Sequence, residues 1–415
     1  MTTRINPSRV NGTIIAPASK SDAQRAIAAA SLANGKSIID QYTSCDDSEA
    51  AIGIITDLGS SVERDGTRLL ITGSSASQPD TLDCGESGLS LRLFASIAAL
   101  REHPIQLNAR GTLLNRPTHM VESALRQLHV ECRSDNGHPP LTVKGPLHSG
   151  TVHIDGSSSS QHISGLLFAL PLVHGDSELT VVDPRSTPYL QMTLSTLDRF
   201  GIRIKHDPSL HKFSIPGGQS YKSTRYELEG DWSGSAFLLV AGAIAGRITI
   251  ENLSTASHQA DRAILGVLAQ CGASVAAERG TVTVVQRDLA AFRFDATDAP
   301  DLIPPLAVLA SCCRGTSVIA GSDRLKTKES NRAEVLVKEL SAIGVKIVER
   351  NGCLEVTGGP IAGGRIHSHH DHRIAMAAAI AGLTSVNGVE IEESGSVAKS
   401  YPAFFADLEH LVGTA

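Results

Sequence analysis

Stretches of small apolar residues recur along the chain, each preceded by a polar cluster and followed by a turn and a short β-branched strand. They read ASKSDAQRAIAAASL, ESGLSLRLFASIAAL, SSSQHISGLLFALPL, WSGSAFLLVAGAIA, DLIPPLAVLASCC and HDHRIAMAAAIAGL. The turns that follow are anchored at Gly35, His103, Gly175, Gly246, Gly315 and Gly388. Their spacing of about seventy residues predicts six copies of one structural unit.

The second half of each unit also recurs, as an amphipathic helix, a short polar step and two strands. Examples are AIGIITDLGSSV, VESALRQLHVEC, LSTLDRFGIRI, AILGVLAQCGASV and VLVKELSAIGVKI. Asp65-Gly66 and Asn351-Gly352 are favoured hairpin turns between two such strands. The pattern therefore predicts an α/β fold whose units read strand-helix-strand-helix-strand-strand.

The sixth unit is split between the two ends of the sequence. The chain closes with the helical pattern FFADLEHLVGTA and opens with the strand pattern RINPSRVNGTIIAP. We therefore expect one discontinuous domain of residues 1–16 and 229–415, and one contiguous domain of residues 17–228. Each domain would hold three units, with a two-strand hinge between the domains. A ligand is expected in the cleft between them, since small-molecule sites favour domain interfaces.

The first helix of each unit is apolar on nearly all sides, which predicts burial at the centre of its domain. Its polar start can be read as an ordinary N-cap of Ser or Asp. Several of these starts also carry Lys, Arg or His. Helix N-termini attract anions through their unpaired N–H groups and the helix dipole. Several such starts facing one cleft predict a substrate with phosphate or carboxylate groups.

Composition and charge argue against nucleic-acid-binding, membrane-spanning and secreted proteins. The 415 residues carry a formal net charge of −6, which argues against bulk nucleic-acid binding. The apolar stretches are about ten residues long, whereas about 20 are needed to cross a bilayer. The seven cysteines include no CxxC pair, and the first residues lack the apolar core of a signal peptide. We therefore expect a reduced protein in the cytoplasm.

Nine short motifs, in order along nearly the whole chain, resemble those of one enzyme family. They are PxSKSxxxRA from Pro17, GESGLSLR from Gly85, NRP from Asn115, SSQ from Ser159, STPY from Ser186, GDWS from Gly230, KESNR from Lys328, DHRIAM from Asp371 and AKSYPAFF from Ala398. The family is that of 5-enolpyruvylshikimate-3-phosphate synthase (EPSP synthase), an enolpyruvyl transferase. One tetrapeptide is weak evidence, but nine in order on a sixfold repeat are specific.

This resemblance implies a fold and a reaction. The fold would be a two-domain inside-out α/β barrel with three βαβαββ units in each domain, in agreement with the repeat count. The reaction would transfer the enolpyruvyl (carboxyvinyl) group from phosphoenolpyruvate (PEP) to the 5-hydroxyl of shikimate 3-phosphate. It would pass through a tetrahedral adduct and release phosphate, on the shikimate pathway to chorismate and the aromatic amino acids. A monomer is expected, with no metal or cofactor and no nucleic-acid or membrane partner.

The resemblance also assigns residues to the two substrates. Those implied for shikimate 3-phosphate are Lys20, Ser21, Arg25, Ser159, Ser160, Gln161, Ser186, Tyr189, Asp301 and Lys328. Those implied for PEP are Lys20, Gly88, Arg116, Gln161, Arg332, His372, Arg373 and Lys399. Arginine suits planar carboxylate and phosphate groups because it binds them with two parallel hydrogen bonds.

Three residues are implied in proton transfer. By resemblance, Asp301 is the base for the 5-hydroxyl, Glu329 is a second acid–base group at the methylene carbon, and Lys20 assists protonation of that carbon. Each has an alternative interpretation. Asp301 precedes an apolar helix and could be an N-cap. Glu329 lies near Lys328 and Arg332 and could form an exposed ion pair, and Lys20 could be a surface lysine.

The run HSHHDH, residues 367–372, raises the possibility of a metal site. No second His/Cys cluster stands at ligand spacing, and the adjacent Arg373 is unfavourable beside a cation. We therefore expect no metal here, and the resemblance implies that His372 lines the PEP site.

The chain departs from the family pattern in a few positions. Where the family has NAGTAMRP this chain has GESGLSLRL, so Glu86 replaces a neutral polar residue and Leu93 a proline. A carboxylate near bound PEP is unfavourable unless it is paired, which leaves PEP affinity and glyphosate sensitivity open. Arg324 stands where many members have Asn, and its contact with substrate is also open.

Other activities compatible with such a fold are less well matched. The related UDP-N-acetylglucosamine enolpyruvyl transferases usually have Lys-Asn where this chain has Lys20-Ser21, and a Cys in the loop matching residues 111–116. RNA 3′-phosphate cyclases share part of the fold, but the net acidic charge counts against them. A non-catalytic sugar-phosphate-binding protein would be expected to lack Asp301 and Glu329.

Overall fold

The protein is described by a computed structural model that covers residues 1–74 and 77–413. The chain divides into two compact units. The contiguous unit is Lys20–Leu228, and the discontinuous unit combines Met1–Ser19 with Glu229–Ala415. The cleft and the two-strand hinge expected from the sequence stay predictions.

The helices alternate with the strands along both units. In the contiguous unit they are α1 (Lys20–Leu32), α2 (Asp46–Asp57), α3 (Gly88–Ala98), α4 (His119–Gln127), α5 (Gln161–Ala169) and α6 (Thr187–Arg199). In the discontinuous unit they are α7 (Trp232–Ala245), α8 (Ile264–Gln270), α9 (Ile303–Ser311), α10 (Arg332–Ala342), α11 (His372–Gly382) and α12 (Phe404–Gly413). Short 3₁₀ helices span Gly111–Asn115, Leu170–Leu172, Ala260–Ala263, Pro300–Leu302, Ser322–Leu325 and Ser394–Lys399.

The strands are short, as expected for units of about seventy residues. From the start of the chain to the end of the contiguous unit they are β1 (Thr2–Ile5), β2 (Val10–Ile15), β3 (Ala33–Asn34), β4 (Lys36–Asp40), β5 (Ser61–Asp65), β6 (Arg68–Thr72), β7 (Thr81–Asp83), β8 (Ile105–Asn108), β9 (Glu131–Asp135), β10 (His138–Lys144), β11 (Thr151–Asp155), β12 (Ser177–Val182), β13 (Lys205–His206), β14 (Lys212–Ile215), β15 (Tyr221–Lys222) and β16 (Arg225–Glu227). The later strands are β17 (Gly246–Glu251), β18 (Ser274–Glu278), β19 (Thr281–Val285), β20 (Arg293–Asp295), β21 (Thr316–Ala320), β22 (Lys346–Arg350), β23 (Cys353–Thr357), β24 (Gly364–His367) and β25 (Val389–Glu392).

Within the described residues, five four-stranded sheets share one topology, in which the first pair is parallel and the other pairs are antiparallel. Their orders are β16-β4-β6-β5, β7-β8-β10-β9, β11-β12-β14-β13, β2-β17-β19-β18 and β20-β21-β23-β22. A sixth sheet begins in the same way, with β24 parallel to β25, and is continued by β1. The expected sixfold βαβαββ repeat is therefore present, three units in each part of the chain.

The first helix of each repeat forms the core of its unit. Almost every residue of α1, α3 and α5 is buried, and so is almost every residue of α7, α9 and α11. Small residues allow this close packing, as in α11 with its run of alanines. The sheet strands alternate buried and more exposed residues, so each sheet covers these helices with one face. Buried helices inside and sheets outside are the predicted inside-out arrangement.

The repeat also places the predicted site residues. Lys20, Gly88 and Gln161 are the first residues of α1, α3 and α5, and Arg332 and His372 are the first of α10 and α11. Within residues 1–74 and 77–413, none of the helices combines the length and the apolar character that crossing a bilayer requires.

Candidate active site

In the contiguous unit, the start of α1 carries an ammonium group held by a carboxylate. Lys20 Nζ lies 2.9 Å from Oδ2 of Asp47, which is in the first turn of α2. Both side chains are largely buried. Asp47 therefore fixes the direction of Lys20, a role that the local sequence pattern did not reveal.

Arg25 brings α1 and α6 together. Its guanidinium donates to Thr193 Oγ1 at 2.8 Å, to the carbonyl of Ser21 at 2.8 Å and to the carbonyl of Tyr189 at 3.3 Å. Burial lowers the pKa of Arg25 to about 10, so the group stays protonated at neutral pH. The structure thus joins three of the residues predicted for shikimate 3-phosphate, and Thr193 is an additional partner.

The Ser-rich run before α5 is tied to the same network. The hydroxyls of Ser164 and Thr193 are 2.8 Å apart, and the backbone N–H of Ser164 donates to the carbonyl of Ser160. The N–H of Gln161 donates to Ser159 Oγ at 3.2 Å. The SSQ triplet is therefore an ordered helix start, the kind of structure that receives a phosphate.

Ser186 directly precedes α6 and has a φ of +54°, a left-handed conformation that L-residues seldom adopt. Its carbonyl accepts from the N–H of Tyr189. Since strained backbone clusters at ligand sites, this geometry suits the predicted role of Ser186.

The start of α3 carries two guanidinium groups close to Gly88. Arg92 donates to Gln161 Oε1 at 2.7 Å and to the carbonyl of Pro117 at 3.1 Å. A Cβ at Gly88 would lie 2.7 Å from Arg116 Nη1 and 2.8 Å from Arg92 Nη1. A larger residue at position 88 would displace one or both of these guanidinium groups. Arg92 was not singled out from the sequence, although it lies inside the GESGLSLR motif.

The departure at Glu86 has a local explanation. Its Oε2 accepts from the backbone N–H of Thr112 at 3.0 Å and from the Thr112 hydroxyl at 2.8 Å. The carboxylate is therefore hydrogen-bonded, as the sequence argument required for a negative charge at this position. Leu93, the other departure, is buried in α3.

In the discontinuous unit, Arg332 is the centre of an ion-pair cluster. Its Nε and Nη2 donate to the two carboxylate oxygens of Asp371 at 2.8 and 3.1 Å. Its Nη1 donates to Asp301 Oδ1 at 2.9 Å, and its Nη2 also donates to Glu329. The guanidinium is 0% exposed. Asp371, which also caps α11, was quoted only as part of a motif and emerges as a principal partner.

Asp301 gathers the other cations of this cluster. Arg373 Nη2 lies 3.1 Å from its Oδ2, and Lys328 Nζ lies 3.6 Å from its Oδ1. Burial alone would raise the pKa of Asp301, but Arg373, Lys328 and Arg332 outweigh it and hold that pKa far below its usual range. The structure thus brings together five residues that the family resemblance implied for the site: Asp301, Lys328, Glu329, Arg332 and Arg373.

The remaining predicted residues of this unit lie around α11. His372 is buried at the first position of α11, next to Arg373. Lys399 is the buried last residue of a 3₁₀ helix that packs against α11. Arg324 belongs to the 3₁₀ helix Ser322–Leu325, and its contact with substrate stays an open question.

Asp261 is a further buried carboxyl near this cluster. The Ser233 hydroxyl donates to its Oδ2. Burial, together with the negative charge of Asp301, raises the pKa of Asp261 from 3.8 to about 6. Sequence reasoning missed Asp261, because nothing in its neighbourhood along the chain predicts its approach to Asp301.

The histidines before α11 pair with glutamates. His369 Nε2 lies 2.8 Å from Glu339 Oε1, and His370 Nδ1 lies 3.2 Å from Glu393 Oε2. Among the residues that the structure describes, no group of three or more His, Cys, Asp or Glu side chains is arranged to hold a metal ion.

Residues 5–408 match the sequence model of the family described as EPSP synthase (3-phosphoshikimate 1-carboxyvinyltransferase). Proteins named 3-phosphoshikimate 1-carboxyvinyltransferase are 38% identical in Methanosarcina acetivorans, covering 99% of this chain and 98% of that protein, and 35% identical in Clostridium novyi, covering 99% and 97%.

Similar solved structures confirm the predicted fold class. EPSP synthase from Acinetobacter baumannii superposes with a TM-score of 0.84 at 26% identity, covering 99% of this chain and 98% of that one. The enolpyruvyl transferase NikO from Streptomyces tendae has a TM-score of 0.78 at 18% identity, covering 99% and 97%, and it shows the fold alone. The family inferred from nine short motifs is thus confirmed: the chain belongs to the EPSP synthase (3-phosphoshikimate 1-carboxyvinyltransferase) family.

Proposed function

We propose that this protein transfers the enolpyruvyl group from PEP to the 5-hydroxyl of shikimate 3-phosphate and releases phosphate. The family match over residues 5–408 carries the proposal. It is supported by the residues themselves, since each unit holds a set of cations at its helix starts, and both substrates carry a carboxylate and a phosphate. The reaction belongs to the shikimate pathway.

The contiguous unit supplies the shikimate 3-phosphate side of the proposal. Arg25, with the helix starts at Ser159–Gln161 and at Ser186, offers donors to a phosphate and a carboxylate. Arg25 is held by a hydroxyl and two carbonyls. Its positive charge is therefore only partly offset, by nearby groups such as Asp22, and is available to an anionic ligand.

The cations of the discontinuous unit, joined by Lys20, Gly88, Arg116 and Gln161, supply the PEP side. Arg332 and Arg373 both contact Asp301. The carboxylate and phosphate of PEP compete for these arginines. As the arginines turn to the ligand, the pKa of Asp301 rises from its depressed value towards the range in which a carboxylate accepts a proton.

The chemistry then follows in two steps. The 5-hydroxyl oxygen bonds to C2 of PEP as Asp301 takes the hydroxyl proton, and the Lys20 ammonium delivers a proton to C3. The resulting tetrahedral adduct loses a proton from the new methyl group to Glu329, and the C2–O bond to phosphate breaks. Arg332 and Arg373 stabilise the negative charge of the leaving phosphate.

As part of the same proposal, the two domains close on shikimate 3-phosphate, because each holds only part of the charged groups. The domains are residues 17–228 and residues 1–16 with 229–415. Small-angle scattering with and without shikimate 3-phosphate tests this, and no compaction on adding it would contradict closure. The proposal also includes a cytoplasmic monomer, for which light scattering should give a mass near 43.6 kDa.

The deciding experiment measures phosphate release from PEP in the presence of a chelator, with shikimate 3-phosphate or UDP-N-acetylglucosamine as acceptor. We expect release with shikimate 3-phosphate alone, together with an enolpyruvyl product of the corresponding mass. Release with UDP-N-acetylglucosamine alone would assign the related transferase activity. Binding of shikimate 3-phosphate without release would favour a non-catalytic sugar-phosphate-binding protein.

A further inference from the structure

The carboxylate of Glu86 links two turns of the contiguous unit. It accepts the N–H and the O–H of Thr112 at 3.0 and 2.8 Å. The backbone supports the same contact, since the N–H of Arg110 donates to the carbonyl of Gly85 at 2.8 Å. The turn before α3 and the turn before the 3₁₀ helix Gly111–Asn115 are therefore bound side by side.

Gly111 is shaped to receive this carboxylate. Its φ is +53°, and a Cβ there would lie 2.3 Å from Glu86 Oε1. Any side chain at residue 111 would strain the backbone and displace the carboxylate. The contact therefore depends on a carboxylate at residue 86, a donor at residue 112 and a glycine at residue 111.

The other end of the 3₁₀ helix leads to Arg116. The N–H of Arg116 donates to the carbonyl of Leu113 at 3.0 Å, and the Leu113 side chain is fully buried. The guanidinium of Arg116 then lies close to Gly88 at the start of α3. Since the 3₁₀ helix is short and anchored by Leu113, fixing its first residues fixes the place from which Arg116 extends.

Arg116 needs such a hold because a second cation lies close to it. Arg92 Nη1 and Arg116 Nη1 both lie within 2.8 Å of the point where a Cβ of Gly88 would be. Two guanidinium groups at this range repel each other, so the position of Arg116 depends on how firmly the backbone that carries it is fixed. Arg92 is held by Gln161 and two backbone carbonyls.

We propose that Glu86 is a positioning residue for PEP: through Thr112 it fixes the 3₁₀ helix Gly111–Asn115 and so holds Arg116 over the first turn of α3. This inference rests on the proposed function, in which Arg116 binds PEP. Glu86 acts through Arg116 rather than by touching the substrate. A charged acceptor suits this role because hydrogen bonds to a carboxylate are stronger than those to a neutral group.

The test compares Glu86→Ala, Glu86→Gln, Thr112→Val and the double variant Glu86→Ala/Thr112→Val. Glu86→Ala removes both hydrogen bonds, and we expect the KM for PEP to rise about tenfold, with kcat and the KM for shikimate 3-phosphate within about twofold. Glu86→Gln keeps an acceptor oxygen for Thr112 and should stay within about threefold of the wild type. Thr112→Val should raise the KM for PEP about threefold, and the double variant should be no worse than Glu86→Ala.

Glu131→Ala serves as the matched control, because it removes an exposed carboxylate of the same unit that pairs with Lys144. Calorimetric titration with PEP alone, without shikimate 3-phosphate, gives a second readout that does not depend on turnover. An unchanged PEP affinity in Glu86→Ala would overturn the proposal, and so would Glu86→Gln behaving like Glu86→Ala. Failure of the wild type itself to release phosphate would instead refute the proposed function.

Discussion

The two units hold their buried arginines in different ways. In the contiguous unit, Arg25 donates to a threonine hydroxyl and two backbone carbonyls. In the discontinuous unit, Arg332 contacts the carboxylates of Asp301, Glu329 and Asp371. Both guanidinium groups are hydrogen-bonded, but only the second has its charge neutralised by direct contacts.

The pKa values of the two arginines show the difference. Burial lowers the pKa of Arg25 to about 10, with only partial compensation from Asp22. Burial also lowers the pKa of Arg332, but the negative charges of Asp371, Glu329 and Asp301 outweigh burial. The pKa of Arg332 is therefore raised above its usual value. Under the proposed function, Arg25 thus keeps its positive charge ready for an anion, whereas Arg332 must exchange carboxylate partners for its ligand.

Replacing each arginine by methionine tests this difference directly and is expected to give the largest effect. Arg332→Met leaves three carboxylates without their shared partner, and we expect a loss of about 3–5 kcal/mol in the free energy of unfolding. Arg25→Met leaves only neutral acceptors and should lose about 1–2 kcal/mol. Urea denaturation of both variants measures the difference.

Arg133→Met in β9 and Arg350→Met in β22 are suitable controls, because both arginines are exposed. They should change the free energy of unfolding by less than about 0.5 kcal/mol. Equal losses for Arg332→Met and Arg25→Met would show that the carboxylates do not set the two units apart.

The next prediction tests whether a carboxylate of the Arg332 cluster also exchanges a proton with the reacting substrate. Glu329→Gln keeps an acceptor for Arg332 but cannot take up the methyl proton of the adduct. We expect kcat to fall about a hundredfold or more, with the KM for PEP within about threefold. Steady-state phosphate release measures both constants.

The matched control for Glu329→Gln is Glu334→Gln, in the first turn of α10. Glu334 is exposed and accepts from the Asn331 side chain at 2.8 Å. Its variant should turn over like the wild type. If Glu329→Gln kept full turnover, the carboxylates around Arg332 would only neutralise its charge and would not take part in proton transfer.

The smallest expected effect concerns Asp261, a carboxyl of the same unit whose pKa is raised by burial and by Asp301 more than Arg373 and Ser233 lower it. Because its pKa is raised from 3.8 to about 6, the folded protein binds this proton more tightly than the unfolded chain does. The contribution of Asp261 to stability therefore falls as pH rises from about 4 to about 6 and is constant above that range.

Asp261→Asn should remove this pH-dependent loss of stability, because an asparagine side chain does not ionise. Relative to the wild type, the variant should gain about 2 kcal/mol in the free energy of unfolding between pH 4 and pH 7. Urea denaturation at a series of pH values measures the gain. A difference between the two proteins that did not change with pH would show that Asp261 is not protonated more readily in the folded state.

The repeat and the chemistry of the helix starts could be predicted because both depend on local pattern. Apolar runs at a spacing of about seventy residues predict buried helices, and the motif residues Lys20, Gly88 and Gln161 indeed begin α1, α3 and α5. Family membership followed from the order of nine motifs, which is information that a single chain carries.

The partners that hold these residues could not be predicted from the same pattern. Asp47 reaches Lys20 across 27 residues, and Thr193 reaches Arg25 across 168 residues. Such pairs depend on how helices pack, which hydrophobic periodicity does not specify. Glu86 shows the limit most clearly, because the sequence marked it as a departure but could not reveal that Thr112 donates two hydrogen bonds to it.

The place of β1 in the last sheet has a consequence for protein synthesis. Residues 2–5 pair with residues 389–392, whereas the contiguous unit has its strands once residue 228 has been made. At about 5–20 residues per second, the first strand waits about 20–80 s for its partner. Throughout that time its edge is open to other chains. Codon usage and chaperone supply during synthesis of residues 229–392 should therefore govern the yield of folded protein more strongly than the same factors during synthesis of residues 20–228.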